Sequence, residues 1–150
     1  MKTSLFYFSA TGNSYIVAKD IAAKLPGTEI HSIPKVIRRD IDGSADNIGL
    51  IFPVYYAGMP RIMVDFINQL QLNGRKYLFA VCTCGAFPLG ALLQTQKHLQ
   101  CKGLTLDAGF SIPMPGNYIV KYGAFPAGKQ KAMFAKEKAK VDIIVKRITG

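Results

Sequence analysis

The sequence predicts an α/β fold of three layers, an open sandwich in which helices cover both faces of a five-stranded parallel sheet. Apolar runs and amphipathic segments alternate along the 150 residues. Residues 50–54 and 78–81 are almost continuously apolar, as in parallel strands buried on both faces. Pro-Gly at 26–27 and Asn-Gly at 73–74 follow predicted helix ends, where the chain turns back toward a strand.

The first half of the chain supplies three predicted strands. Thr3 to Ser9 and Ile48 to Val54 have the length and apolar content of buried strands, and Thr28 to Ile33 is a shorter strand between them. The helical pattern of Tyr15 to Leu25 connects the strand at 3–9 to the strand at 28–33. Residues 34–47 are long enough to cross over but poorly periodic, so we expect one short helix near their start.

The second half continues the same alternation. A helix is predicted near Arg61 to Leu70, a strand at Tyr77 to Thr83, a helix near Leu89 to Cys101 and the fifth strand at Leu104 to Ile112. The final segment is predicted to be a basic helix whose lysines surround an apolar stripe. That stripe consists of Phe134, Val141, Ile144, Val145 and Ile148.

Size and composition favour a single domain, residues 1–150. An apolar fraction of 49% excludes a disordered chain, and no repeat or composition break divides the sequence. The longest apolar region, 48–59, contains Pro53 and is too short to span a bilayer, so we expect no membrane insertion. Lys2 and the short apolar run after it do not make a secretory leader, because the run leads directly into a polar turn.

Cysteine and histidine usage predicts a reduced, cytoplasmic setting without a metal site. Cys82, Cys84 and Cys101 match neither a disulfide framework nor the spacing of a zinc or iron–sulfur site. His31 and His98 stand far apart without carboxylate or cysteine companions. We therefore expect these side chains to be structural or exposed.

The net charge of +10 is concentrated at the C-terminal end. Residues 121–150 carry eight basic and two acidic side chains. A basic face can attract nucleic acid or an acidic protein, but lysines around an apolar stripe are more typical of the solvated side of an outer helix. We expect no nucleic-acid binding, and an acidic protein partner is the intermediate possibility.

The most specific local signal is a hydroxyl-rich turn between the first strand and its helix. It consists of Ser9, Ala10, Thr11, Gly12, Asn13 and Ser14. The first N–H groups of a helix lack internal partners and carry partial positive charge, so a phosphate can bind there without a cation. Three hydroxyls add donors, Gly12 permits close approach, and Asn13 or a neighbour can cap the helix.

Other readings of this turn are weaker. It contains no Lys or Arg, which excludes a Walker A loop, and its spacing does not fit Gly-x-Gly-x-x-Gly. An ordinary capped helix after a strand is the remaining alternative for the turn taken alone.

Two further loops are expected at the same edge, because parallel strands place their strand-to-helix loops together. The second loop contains Pro53, Val54, Tyr55, Tyr56, Ala57 and Gly58, and the third contains Thr83, Cys84, Gly85, Ala86 and Phe87. Aromatic surfaces beside an anion site suit a planar heteroaromatic ring with a phosphate tail, which FMN fits best. We expect one of the two tyrosines to stack on the ring and the other to be structural.

The turn at 9–14 resembles the Ser/Thr-x-Thr-Gly-x-Thr phosphate loop of flavodoxins, with Ser14 in place of the final threonine. Phe-Tyr-Phe-Ser at 6–9, Phe-Pro-Val-Tyr at 52–55 and Met-Pro-Gly-Asn-Tyr at 114–118 resemble the flavodoxin half of EFR-type proteins, which join a flavodoxin to a ferredoxin. The likeness covers nearly the whole chain and depends on these segments occurring in the same order and spacing.

This resemblance implies a flavodoxin-like domain with strand order 2-1-3-4-5 and FMN as cofactor. By it, the turn at 9–14 would hold the FMN phosphate, and the loops at 53–58 and 83–87 would flank the isoalloxazine. The cysteine runs of a ferredoxin half do not occur in these 150 residues, so we expect that half to be absent. Familiar flavodoxins are acidic and this chain is basic, so their docking partners are not carried over.

The segment from Pro113 to Gly128 follows the fifth strand on the same edge. Long loops of this kind are often functional. We expect Asn117 and Tyr118 to fold against the flavin and limit its contact with solvent.

The leading expectation is an FMN-binding electron-transfer protein whose partners are redox proteins, with a ferredoxin or an acidic protein among the candidates. Flavin chemistry belongs to the cofactor, so no catalytic residue is expected from the chain. Two alternatives remain at this point. One is a small NAD(P)H-dependent flavin or quinone reductase, although the sequence has no second nucleotide motif, and the other is a cofactor-free module that binds anions.

Overall fold

The computed structural model describes residues 1–85, 87–115 and 127–150. Within them, five parallel strands form one sheet in the order β2-β1-β3-β4-β5, which confirms the predicted order. The strands are β1 (Thr3–Tyr7), β2 (Thr28–Ser32), β3 (Asn47–Pro53), β4 (Tyr77–Cys84) and β5 (Ala108–Pro113). The order reverses direction at β1, so β1 and β3 flank the switch point where ligands bind in open α/β sheets.

Helices cover both faces of this sheet and complete the three layers. They are α1 (Asn13–Lys24), α2 (Ile33–Val36), α3 (Arg61–Gln69), α4 (Ala91–Gln100) and α5 (Ala127–Thr149). Helices α1 and α5 share one apolar core with the sheet, and α3 and α4 share the other. The long basic helix α5 therefore packs against α1 through its apolar stripe, as the sequence predicts.

The central strands are buried on both sides because their side chains alternate between the two cores. Leu50 and Phe52 of β3 face the α3–α4 layer, whereas Ile51 faces the α1–α5 layer. Gly49 also lies in this strand, and a Cβ there would come within 2.5 Å of the Phe79 ring. Every residue of β3 is buried, which explains the uninterrupted apolar run in the sequence.

The predicted element boundaries differ most at the fifth strand. It begins at Ala108 rather than at Leu104, because Gly103 (φ 73°) ends α4 with a left-handed residue. The Leu104 N–H then donates back to the Leu99 carbonyl at 3.0 Å, which closes a Schellman-type helix end. Asp107 instead joins the sheet edge, with its N–H donating to the Leu78 carbonyl at 2.7 Å.

His31 and Cys82 have structural environments, as predicted. His31 stacks on Phe6 with ring centroids 5.0 Å apart. All three cysteines are free thiols, and burial raises the pKa of Cys82 to about 12, which keeps that thiol protonated. In the part of the chain that the structure describes, no helix combines the length and the hydropathy needed to cross a membrane.

Candidate functional site

Three loops converge at the carboxyl edge of β1, β3 and β4. Backbone hydrogen bonds continue past the strand ends and fix the loops beside one another. The bonds run from Phe8 N–H to the Ile51 carbonyl (2.9 Å), from Val54 N–H to the Thr83 carbonyl (2.9 Å) and from Met114 N–H to the Cys84 carbonyl (2.8 Å). The three predicted loops therefore share one edge of the sheet.

The first loop leads into the N-terminus of α1 through Gly12. Gly12 is the N-cap residue, with φ 101°, and its N–H donates to the Ser9 hydroxyl at 3.0 Å. The first intrahelical bond runs from the Ile16 N–H to the Gly12 carbonyl at 2.9 Å. The N–H groups of residues 13–15 consequently have no acceptor among the described residues, and no side chain caps the helix.

Gly12 is required by its backbone conformation and not by crowding. A residue with a Cβ rarely adopts a φ near 101°, yet a Cβ built at this position would meet no atom of the described residues within 4 Å, apart from its chain neighbours. In the described part of the chain, the space beside Gly12 is therefore open. A ligand oxygen can approach the unpaired N–H groups there.

Two side chains of the first loop connect it to the other strands. The hydroxyls of Ser14 and Thr83 are 3.0 Å apart in a buried contact, which joins α1 to the end of β4. The Asn13 side-chain amide donates to the Pro115 carbonyl at 3.0 Å, which joins α1 to the segment after β5. Asn13 is thus the first helical residue and not the cap, because its side chain binds the Pro115 carbonyl instead.

The second loop is a two-residue hairpin. Tyr55 and Gly58 exchange two backbone hydrogen bonds, each of 2.9 Å. Tyr56 and Ala57 between them have φ values of 48° and 63°. Two successive left-handed residues are typical of a type I′ turn, which usually contains Asn-Gly. The hairpin therefore adopts a conformation that its own residue types disfavour.

The two tyrosines of this hairpin occupy different environments. The Tyr55 ring meets the Phe8 ring edge to face, with centroids 6.1 Å apart, and burial raises the pKa of its phenol. The Tyr56 side chain is fully exposed. Which ring stacks on a ligand stays a prediction, but Tyr55 packs against Phe8, whereas Tyr56 has no packing contact with the described residues.

The third loop follows β4 and is partly described. Cys84 is buried at the strand end, and burial raises the pKa of its thiol. Gly85 is exposed, and the Phe87 ring is 73% exposed. Ala86, Asn117 and Tyr118 lie outside the described residues, so their predicted roles stay predictions.

The remaining predicted site residues lie in the same region. Ala10 and Thr11 are exposed at the tip of the first loop, and Pro53 and Val54 lead from β3 into the hairpin. The chemistry of the combined surface is that of a binding site: unpaired backbone donors, open space and aromatic rings. Among residues 1–85, 87–115 and 127–150, no cluster of three or more potential metal ligands occurs.

The sequence analysis missed one polar contact of this site. The side-chain oxygen of Gln94, on α4, accepts a hydrogen bond from the Met59 N–H at 2.6 Å. The Gly90 N–H donates to the Ala57 carbonyl at 3.1 Å. No local pattern indicates these contacts, because Gln94 is one of several polar residues on an amphipathic helix.

A polar cavity lies apart from the three loops. It has a volume of about 660 Å³ and is lined by polar residues that precede β3 and β4, including Arg39, Asp42 and Lys76. Its position places it at the amino-terminal edge of the sheet, opposite the loops. Because these side chains are largely exposed, the cavity is a polar surface groove and not an enclosed ligand site.

The family comparison matches most of the chain. The model of a family described as a flavodoxin domain matches residues 4–116. This range includes the three loops described above. No curated protein matches the chain at a significant level.

Solved structures show the same fold at low sequence identity. A flavoprotein from Lactobacillus acidophilus NCFM in complex with FMN has a TM-score of 0.62 at 15% identity and covers 73% of this chain and 92% of its own. An FMN-dependent NADH-azoreductase from Bacillus anthracis in complex with FMN has a TM-score of 0.69 at 8% identity and covers 100% of both chains. A flavodoxin from the domain Archaea has a TM-score of 0.55 at 17% identity and covers 95% of this chain and 99% of its own.

Proposed function

The chain belongs to the flavodoxin domain family, and we propose on that basis that it binds FMN and passes electrons between redox protein partners. Two of the structural neighbours were crystallised with FMN, which supports the same cofactor here. The electron-transfer role follows from flavin chemistry, which belongs to the cofactor and requires no catalytic side chain from the protein.

One observation carries the proposal. At the switch point of the sheet, helix α1 begins with three backbone N–H groups that have no acceptor among residues 1–85, 87–115 and 127–150, beside space that these residues leave open. Backbone donors and the helix dipole suit the phosphate of FMN, and they do so without a lysine or arginine in the loop. The residues present therefore fit the cofactor.

The protein's own contribution is to bind the FMN and to orient its ring. The N–H groups at the start of α1 would hold the phosphate, and the Ser9 hydroxyl, which accepts from Gly12, retains its proton for donation. The hairpin at 55–58 and the loop at 84–87 would lie on either side of the flavin ring and limit its contact with water. When bound, FMN supplies the capacity to accept and release electrons.

The first experiment identifies the chromophore. Purified protein is denatured, and any released compound is identified by mass and absorbance, after which the flavin-free chain is titrated with FMN. We expect FMN, bound one per chain. A colourless protein that does not take up added FMN would contradict the proposal and favour a cofactor-free module.

A matched pair of glycine variants tests whether the N-terminus of α1 is the phosphate site. Gly12→Ala strains a φ of 101°, whereas Gly74→Ala strains a φ of 74° at the opposite edge of the sheet, and both positions have open space for a Cβ. We expect both variants to lose comparable stability and only Gly12→Ala to lose FMN affinity. Equal FMN affinity in the two variants would exclude the α1 N-terminus as the phosphate site.

A second function is supported by the exposed apolar edge of the site. Tyr56, Phe87 and Leu89 are exposed there, and such a surface can admit a nicotinamide ring. Three of the structural neighbours are azoreductases, one of which is described as NADH-dependent. This alternative, a small NAD(P)H-dependent flavin or quinone reductase, predicts steady oxidation of NAD(P)H by the FMN-loaded chain in the presence of a quinone.

The partner proposal rests on charge. Helix α5 is rich in lysine, with seven basic and two acidic side chains, so an acidic redox protein is the partner whose electrostatics are complementary. Electron transfer to such a partner should slow as salt is raised from 50 to about 500 mM, because the Debye length shrinks well below 10 Å. A rate that is independent of salt would argue against an acidic partner.

A further inference from the structure

We propose that Gln94 is a positioning residue, whose side-chain oxygen holds the hairpin at 55–58 in its left-handed conformation and thereby sets where the hairpin meets the flavin. The part of this inference that concerns the flavin rests on the proposed function. The part that concerns the hairpin depends only on contacts within the protein.

The hairpin needs an external support because its sequence does not specify its shape. Tyr56 and Ala57 have φ values of 48° and 63°, and residues with a Cβ rarely adopt this conformation in succession. Glycine or asparagine normally occupies such positions. The conformation persists only where surrounding contacts determine it, and such sites are often functional.

Helix α4 supplies these contacts at two points. The Gly90 N–H donates to the Ala57 carbonyl at 3.1 Å, which fixes the tip of the hairpin. The Gln94 side-chain oxygen accepts from the Met59 N–H at 2.6 Å, which fixes the segment that follows the hairpin. The donor, Gly90 N–H, and the acceptor, the Gln94 side-chain oxygen, come from one helical turn, since the Gln94 N–H donates to the Gly90 carbonyl at 2.9 Å.

The helix itself is anchored to the core and can act as a rigid support. Ala91, Thr95 and Leu99 of α4 are buried against the sheet. The Thr95 hydroxyl donates to the Ala91 carbonyl and also contacts the Met59 sulfur, at 2.9 and 3.4 Å. The position of Gln94 is therefore fixed by the burial of Ala91 and Leu99 in the core, and the Thr95 contact adds a second link between α4 and Met59.

Close packing at Gly58 strengthens the same conclusion. A Cβ at Gly58 would lie 2.8 Å from the Gln94 side-chain oxygen. The hairpin and the glutamine amide are thus in direct contact, and a side chain at position 58 would displace the oxygen that binds Met59. Residues 55–58 and Gln94 form one unit, which we call the hairpin clamp.

The test compares three variants of helix α4. Gln94→Met removes the acceptor at nearly constant side-chain length, whereas Gln94→Glu keeps an acceptor oxygen. Gln96→Met is the matched control, because Gln96 is half-buried on the same helix and no side-chain hydrogen bond is found for it in the described residues. Amide exchange of the Met59 N–H is measured for each purified chain by NMR, before and after FMN addition.

Loss of the acceptor should have a local and a cofactor-linked effect. We expect Gln94→Met to speed Met59 exchange about tenfold and to weaken FMN binding about tenfold, as the loss of one well-formed hydrogen bond implies. The visible circular dichroism of the bound flavin should change as well. Gln94→Glu, which keeps the acceptor oxygen, should retain the wild-type Met59 exchange rate and flavin dichroism. Gln96→Met should change neither quantity.

The outcomes distinguish a failure of the inference from a failure of the proposed function. Wild-type Met59 exchange and wild-type flavin dichroism in Gln94→Met would overturn the inference while leaving FMN binding intact. A wild-type chain that takes up no FMN would overturn the proposed function, and the exchange rates alone would then decide whether the hairpin clamp exists. If Gln94→Met does not fold, Gly58→Ala displaces the same oxygen, and it must also accelerate Met59 exchange for the inference to hold.

Discussion

The two helical layers support opposite ends of the candidate site by different physical means. The α1–α5 layer offers a helix dipole, and N–H groups with no acceptor among the described residues, to the proposed phosphate end, and it also contains a buried carboxyl group, Glu137. The α3–α4 layer holds the hairpin at the proposed ring end through two neutral hydrogen bonds, one donated by the Gly90 N–H and one accepted by the Gln94 side-chain oxygen. The first layer should therefore respond to pH and the second should not.

Glu137 is the titratable feature that distinguishes the α1–α5 layer. Glu137 is 1% exposed, and neither of its carboxyl oxygens has a conventional hydrogen-bond donor in the part of the chain that the structure describes. Burial raises the pKa of Glu137 to about 7, with a further contribution from the neighbouring carboxyl of Asp20, while Lys138 and Lys24 act in the opposite direction. A proton on Glu137 would supply the donor that this carboxyl pair lacks.

The largest expected effect is the pH dependence of stability. Because the pKa of Glu137 rises from 4.5 to about 7 on folding, the folded chain binds the extra proton between these values. Its free energy of unfolding should fall by up to about 3 kcal/mol as pH rises from 5 to 8. Glu137→Gln should remove most of this fall and be more stable than wild type at pH 8, as measured by urea denaturation.

The control for this prediction is Asp65→Asn, which removes an exposed carboxylate from α3 in the other layer. It should leave the pH dependence unchanged. If Glu137→Gln and wild type lose stability in parallel between pH 5 and 8, the α1–α5 layer is not the pH-sensitive half of the molecule.

The second effect concerns the contact between α1 and β4. Ser14→Ala leaves the buried Thr83 hydroxyl without its partner 3.0 Å away, which should cost about 1–2 kcal/mol of stability. FMN binding should weaken as well, because α1 loses a connection to the adjacent loop. Thermal denaturation and FMN titration measure the two effects.

A double-mutant cycle provides the control. Thr83→Val removes the other partner, so the double variant Ser14→Ala/Thr83→Val should be destabilised by less than the sum of the two single variants. Additive losses would mean that the two hydroxyls do not interact in solution.

The third effect is confined to binding. Tyr56 is fully exposed, so Tyr56→Ala should not change the free energy of unfolding, yet loss of a stacked ring should weaken FMN binding by about 1 kcal/mol, or roughly fivefold. Leu93→Ala, at another exposed apolar residue of this side, is the control and should change neither quantity. Unchanged FMN affinity in Tyr56→Ala would assign the stacking role to another ring.

The smallest effect is a gain in stability. Ala57→Gly relieves a left-handed conformation at φ 63° without removing a side chain beyond one methyl group. We expect an increase of about 0.5–1 kcal/mol in the free energy of unfolding, after the entropic cost of glycine is included. A loss of stability would indicate that the turn is not strained in solution.

Much of the fold was predictable because its signals are local. The apolar run of β3 predicted a strand buried on both faces, and all seven residues of this strand are buried. The turn around Gly12 was found because hydroxyls, glycine and a strand-to-helix junction occur together in six residues. The start of β5 was wrong by four residues, since apolar residues after Gly103 resemble a strand although their first N–H completes the end of α4.

Two features of the molecule had weak or no signals in the sequence. Glu137 stands four residues before Val141, on the apolar stripe of α5, and an acidic residue at that spacing is a sign of a buried carboxyl group. Gln94 had no comparable signal, because an acceptor on a helix gives no indication of which N–H it will meet. Its partner is 35 residues away.

The sequence by itself determined the fold class, the order of the elements and the loop that presents unpaired N–H groups, since periodicity, glycine and capping chemistry act within a few residues. Only the tertiary structure decided which side chains support that loop and its neighbour. Ser14 meets Thr83 across 69 residues of chain, and Glu137 meets Asp20 across the α1–α5 interface. Such pairs depend on how helices cross the sheet, which is set by packing of the whole core and not by any local pattern.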